Sequence, residues 1–378
     1  MENLLVKKIL KKIKKLLREG RFLKNIYKTN YDKNVLISYT VLPFLTNRNN
    51  HSNVQESKII ANIFNSLEFN VDIIHYTNQK EIDYIKYDVI FGFGEPFENS
   101  FKQKNFKRIY YATGAHVCHQ NYAEIQRVQE VNTKYNSNIL PKRLVPWNWS
   151  MSTSLSDFLI VIGNEWTKST YEKYTKKPVY PINATALINN KCKNIKRDIE
   201  KTKKSFLWFG SSGLVHKGLD LCLEYFSEHS NLTLHICGQM EDDFQELFRS
   251  YFEKDNIYYY GFIDVNSQKF IDIVSNCSFS IFPTCSEGQA TALLTTMGIG
   301  LIPISTKYSG IDIERLGFLI DELDLYSINN VLQKVISLEN IEIEISANKL
   351  TKYTEDYHSL IYFEKKFRKI IESTNAVQ

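Results

Sequence analysis

Short apolar runs alternate with amphipathic helical patterns along this chain, stop, and then begin again, which bounds the fold to two α/β units in tandem. The first series reads as strands at 34–42, 71–76, 88–92, 108–112 and 158–162. A helix opens at Ser52 and Asn53, with Gln55 and Glu56 at capping spacing, and carries Ile59, Ile60, Ile63, Phe64 and Leu67 on one face. The Lys- and Asn-rich stretch 186–204 has no strand pattern and reads as a connector. The second series places strands at 205–209, 232–237, 257–260, 279–283 and 301–305, with helices at 216–229, 241–252, 267–274 and 289–297. A helical pattern over 357–371 closes the chain. Alternation of this kind builds parallel sheets covered on both faces. At 378 residues the chain also exceeds what one core usually holds. The expected organisation is a basic segment at 1–30, an α/β domain at 31–190, a second at 200–350, and a helix within 351–378 returning to the first domain, with a cleft between the domains.

Charge is unevenly distributed. Residues 1–30 hold ten Lys or Arg against Glu2 and Glu19, a net of +8, so the overall +5 leaves −3 for the rest. A mildly acidic body argues against a nucleic-acid partner, which needs basic surface on the folded domains. Within the basic segment Leu4, Leu5, Ile9, Leu10, Ile13, Leu16 and Leu17 recur at helical spacing opposite the lysines. Such a helix lies on an anionic membrane surface, or packs against its own domain with the lysines solvated. No signal peptide or membrane span is legible, so the expected location is cytoplasmic, peripheral to the inner face of the membrane. The six cysteines form no C-x-x-C pair and fit buried free thiols. His116, Cys118 and His119 lack the second ligand pair of a metal site, and none is expected.

Ligands of open parallel sheets bind beyond the carboxyl ends of the strands, which directs attention to two loops. The first, 209–220, sets Gly210, Ser211, Ser212 and Gly213 before Lys217-Gly218 at a helix start. Glycines allow close backbone approach, serines donate, and a lysine at a helix mouth favours an anion, so the loop suits a diphosphate; a tight turn with a surface lysine is the plain alternative. It matches neither G-x-G-x-x-G nor the P-loop. The second loop places Glu287, Gly288, Gln289 and Ala290 after a buried strand. A carboxylate there accepts from sugar hydroxyls and the following amides meet phosphate oxygens, or else Ser286 and Glu287 simply cap the helix.

These two segments resemble glycosyltransferase family 4, a retaining family with the GT-B fold of two Rossmann-like doubly wound parallel-sheet domains facing a cleft. The likeness rests on Gly210, Lys217-Gly218 and Glu287-Gly288. It extends through Leu234 to Gly238, Ile257 to Phe262, Leu301-Ile-Pro303, Ser309-Gly310 and the terminal Tyr362 to Phe367. The resemblance implies a nucleoside-diphosphate sugar as donor, Lys217 on its diphosphate and Glu287 with the following amides on its sugar. It also implies a glycan or lipid-linked acceptor and no cofactor or metal, in keeping with the lack of an Asp-x-Asp triplet. Two positions depart from the family pattern: Ser211 stands where it has arginine, and Thr295 where a second glutamate holds the ribose. In the first domain Thr113, Gly114 and His116 follow a strand end, and His116 matches a family histidine lining the cleft. Asn121, Glu124 and Arg127 share a helix face and suit either the acceptor or surface ion pairs. The implied reaction is transfer to an acceptor hydroxyl with retention, in assembly of a lipopolysaccharide or capsule-like polysaccharide. A non-catalytic relative acting as a scaffold, and a nucleotide-sugar epimerase, are the competing readings.

Overall fold

The computed structural model describes residues 20–46, 52–187 and 195–374. The basic helix expected at 4–17, and residues 188–194 of the 186–204 connector with Cys192 among them, lie outside the described residues.

Two sheets form, as the alternation requires. The first comprises β1 (Phe22–Leu23), β2 (Lys33–Tyr39), β3 (Phe69–His75), β4 (Val89–Gly92), β5 (Lys107–Ala112), β6 (Phe158–Ile162) and β7 (Val179–Ile182), in the order β1-β3-β2-β4-β5-β6-β7. All pairs are parallel except β1 with β3. The second comprises β8 (Ser205–Phe209), β9 (Thr233–Cys237), β10 (Ile257–Tyr259), β11 (Phe279–Phe282), β12 (Ile302–Ser305) and β13 (Phe318–Leu319), all parallel, in the order β10-β9-β8-β11-β12-β13. Strands such as β6 and β11 are buried along their whole length, so apolar runs rather than alternation mark them.

Several boundaries differ from the sequence pattern for identifiable reasons. The first central strand ends at Tyr39 because Pro43 begins a short helix, Leu42–Leu45. The helix expected from 216 begins at Leu219, since Gly218 takes a left-handed φ of 66° as its N-cap. The final helix is Leu360–Ser373, with the Ser359 hydroxyl accepting from the Tyr362 amide. A separate helix, Asn340–Tyr357, precedes it.

The last helix crosses to the first sheet, where Phe367 lies 6.3 Å from Phe64 and 5.6 Å from Phe91, centroid to centroid. His358 sits at the crossing: its Nδ1 meets the Ala184 carbonyl at 2.8 Å, and the Ala186 amide donates to its own carbonyl. One apolar cluster therefore runs through both halves. Their carboxyl-terminal strand ends face each other, and the loops after them touch. A Cβ at Gly288 would lie 2.6 Å from the Thr113 carbonyl oxygen, and one at Gly163 or Gly310 would strike the Gly288 carbonyl oxygen at 2.4 or 1.8 Å. The Thr167 hydroxyl donates to the same oxygen at 2.7 Å. Among the described residues no helix is long and apolar enough to cross a membrane.

Candidate active site

In the second sheet chain order reverses between β8 and β11, and in such a sheet the crevice outside that pair is where a ligand binds. The two loops singled out by sequence leave from these two strands. Lys217 is 5% exposed, and its Nζ donates to Ser211 Oγ and the Ser212 carbonyl, both at 2.9 Å. Burial lowers its pKa to about 8; Glu287, Glu241 and Glu124 resist the fall, while Arg143 adds to it. Glu287 is the reciprocal case. Burial pushes its carboxyl up, but Arg143, Lys217 and His216 together hold it below the usual value. The two loops are bonded together at the switch point, the Cys285 amide donating to the His216 carbonyl at 2.9 Å, and Lys217 and Glu287 lie near enough for each charge to act on the other.

The surrounding groups explain the local geometry. Gly213 has φ 86°, and its amide donates to the Glu241 carboxylate at 2.5 Å. Gly210 packs over Trp208, whose indole N–H donates to the Lys217 carbonyl at 3.1 Å. His216 bridges the halves: Nδ1 lies 2.7 Å from Glu124 Oε2 and Nε2 faces the Ser286 carbonyl. Ser286 Oγ is buried without a partner. Ser286 does not cap the next helix, which begins at Thr291 after Ala290 with no side-chain cap.

Several expected donor contacts are engaged within the protein instead. The Ala290 amide donates to the Ser309 carbonyl and that of Glu287 to Tyr308, so the Ala290 amide is not open to a phosphate. Gln289 is 7% exposed; its Oε1 accepts from the Ala184 amide at 2.7 Å and its Nε2 donates to the Gly310 carbonyl at 3.1 Å. Thr295 is 3% exposed and its hydroxyl donates to the Thr291 carbonyl one turn back, not toward a ribose. Gly288 lies against the first domain.

The first domain contributes more to cohesion than the helix-face pattern implies. Glu124 and Arg127 do not face an acceptor: Arg127 Nη2 pairs with Asp220 at 2.6 Å in a buried contact across the halves. Glu124 Oε1 accepts from the amides of Lys142 (2.6 Å) and Arg143 (3.0 Å). Asn121 bonds both main-chain groups of Val145 at 2.8 Å. Glu124 and Asn121 are thus engaged by the main chain of the 142–145 segment, which leaves them little for a ligand. His116 caps the Val117–Tyr135 helix, stacks on Tyr174 at 4.0 Å and is 1% exposed; burial lowers its pKa to about 4, with His119 adding to the fall. Only its Nε2 is unpartnered. His119 lies nearer the seam, 5.3 Å from Trp166 and 6.1 Å from Tyr308 of the second half. Thr113 is exposed, and a side chain at Gly114 would meet open space.

Arg143, Glu241 and His216 carry no motif of their own and were not among the expected site residues. Among the described residues no three His, Cys, Asp or Glu side chains are grouped to hold a metal ion.

Two facing α/β domains, each built on a mainly parallel sheet, form the GT-B fold. Residues 191–356 match the family model of the glycosyl transferases group 1. Solved structures agree on the architecture. Sucrose-phosphate synthase from Thermosynechococcus elongatus superposes with a TM-score of 0.65 at 12% identity, over 92% of this chain and 100% of that one. WaaG, a glycosyltransferase involved in lipopolysaccharide biosynthesis, gives 0.58 at 14% identity, over 89% and 99%. Anabaena HepE, solved with UDP and glucose, gives 0.59 at 9% identity, over 91% and 100%. No curated protein sequence is significantly similar to this chain. The resemblance carried by Lys217-Gly218 and Glu287-Gly288 is borne out by the family match and the fold.

Proposed function

We propose that this chain transfers a sugar from a nucleoside-diphosphate sugar to an acceptor hydroxyl, with retention at the anomeric carbon and without a metal ion. The loops of Lys217 and Glu287, leaving adjacent strands β8 and β11 at the switch point and bonded to each other there, carry this reading. As the bond between the anomeric carbon and the diphosphate oxygen breaks, negative charge grows on the leaving group, and the buried ammonium stabilises it far better than solvent-exposed charge would. Glu287 accepts from sugar hydroxyls and orients the ring. Contact between the halves excludes water, limiting hydrolysis of the donor. Thr113, Gly114 and the free Nε2 of His116 form the acceptor side.

A surface polysaccharide acceptor is supported by the likeness to WaaG and by the basic segment, and UDP-sugars are the first donors to try given the ligands of HepE. The protein is incubated with UDP-, GDP- and ADP-sugars and release of nucleoside diphosphate is measured. Release from one donor class, abolished by Lys217→Ala, is expected. Failure to bind or turn over any of them overturns the assignment. Binding of UDP with no turnover favours the non-catalytic scaffold, for which Ser211 and the internally bonded Thr295 speak. An isomerised donor would mark an epimerase. For residues 4–17, deletion of 1–19 should abolish sedimentation with anionic liposomes; unchanged sedimentation removes the membrane role.

A further inference from the structure

The loop after the Val117–Tyr135 helix is strapped down with unusual thoroughness for a segment without regular structure. Gln120 Nε2 donates to the Arg143 carbonyl at 3.1 Å, Asn121 holds Val145, and Glu124 accepts from the amides of residues 142 and 143. Lys142 adds an ion pair to Asp243 of the second half at 2.7 Å. These anchors aim one side chain, that of Arg143, across the seam. Its stem passes over the donor loop where any side chain at position 213 would sit: a Cβ on Gly213 would lie 2.5 Å from Arg143 Cγ and 2.8 Å from Cδ. The guanidinium then reaches Glu287, Nη2 to Oε2 at 3.6 Å, while its Nε is buried with no partner. Arg143 also depresses the Lys217 pKa, so the two cations share one neighbourhood.

We infer that Arg143, from the first domain, supplies the second cation of the donor diphosphate site, so that the site is complete only when the two domains are closed. Position 211 of the second domain carries a serine whose hydroxyl accepts from Lys217, leaving that loop with a single positive charge. A diphosphate has more oxygens than one ammonium can meet, and a guanidinium fork suits paired phosphate oxygens. The unpartnered Nε is the donor such a ligand would satisfy.

The inference rests on the donor-site reading above, and inorganic pyrophosphate separates the two because it needs neither base, sugar nor turnover. Binding of pyrophosphate is measured by calorimetry for the full chain and for Lys217→Met, Arg143→Met and Arg143→Lys, with circular dichroism as the folding control. Arg143→Met should weaken binding by about tenfold or more, with partial rescue in Arg143→Lys. The loss should persist in a Glu287→Gln background, which excludes action through Glu287 alone. Weakened binding in Lys217→Met with unchanged binding in Arg143→Met overturns the role of Arg143 and leaves the donor site standing. No pyrophosphate binding by the unaltered protein overturns both.

Discussion

Glu124 Oε2 and His216 Nδ1 lie 2.7 Å apart, both fully buried, one on the first domain and one on the 209–220 loop of the second. His216 Nε2 faces the Ser286 carbonyl, so both ring nitrogens meet acceptors. The other oxygen of Glu124 holds the Arg143 strap. A single carboxylate thus ties a helix, a strap and both loops of the candidate site together. Glu124→Gln should lower unfolding stability by about 1–3 kcal/mol and reduce donor turnover, measured by denaturant unfolding and nucleoside diphosphate release. Unchanged values for both would show that the network is dispensable.

Lys217→Ala and Glu287→Ala should each reduce kcat/KM by about 100-fold or more while preserving the circular dichroism spectrum. Full turnover in either variant removes that residue from the site.

The proposed role of Lys217 implies a basic limb in the pH profile. Burial brings its pKa down to about 8, so the ammonium dominates below that pH and is lost as pH climbs through it. Since kcat/KM reports the free enzyme, it should fall above about pH 8. Lys217→Arg, if active, should stay flat there.

Arg127 and Asp220 form a buried pair across the halves with Arg127 Nε and Asp220 Oδ1 left unpartnered. Arg127→Met strands a buried carboxylate and should cost about 3–5 kcal/mol, whereas Arg127→Met with Asp220→Leu should recover most of it. A double variant as unstable as the single one would show that the pair itself, not the stranded charge, sets the cost.

Burial holds His116, His235 and His358 near pKa 4, below the usual 6.5, with His119 contributing at His116. The unfolded chain takes up these protons first, so their contribution is intact above pH 6.5 and is lost as pH falls toward 4. Glu98 works the other way: burial raises it to about 7, so it relieves part of the acid loss. The melting temperature should drop between pH 6.5 and 4. The drop should be shallower in His358→Asn, whose amide can still donate to the Ala184 carbonyl but does not titrate in this range. An identical profile would remove His358 from the acid response.

Lys217 and Glu287 were legible because each lies in the loop that follows a strand end, and strand order makes neighbours of those ends. Arg143 was not, since its place depends on a bare Cβ position at Gly213 and on Glu124, neither of which is near it in sequence. The spacing of Asn121, Glu124 and Arg127 revealed one helix face but not what covers it; the second domain and the 142–145 strap do. Thr295 stood out only as a departure from the family's second glutamate; that its hydroxyl bonds the carbonyl one turn back is a matter of helix geometry the sequence does not reveal. The two-residue strands β1 and β13 are too short for any periodicity to appear.

Where Gly163, Gly288 and Gly310 meet, main chain presses on main chain, with the Thr167 side chain packed beside them and bonded to the Gly288 carbonyl. A joint of that kind has a hard mechanical stop: drawing the halves apart there breaks the Thr167–Gly288 hydrogen bond, yet they come together at only one spacing. The separation of the facing strand ends across the cleft is therefore gauged by peptide backbone, which no rotamer change can alter.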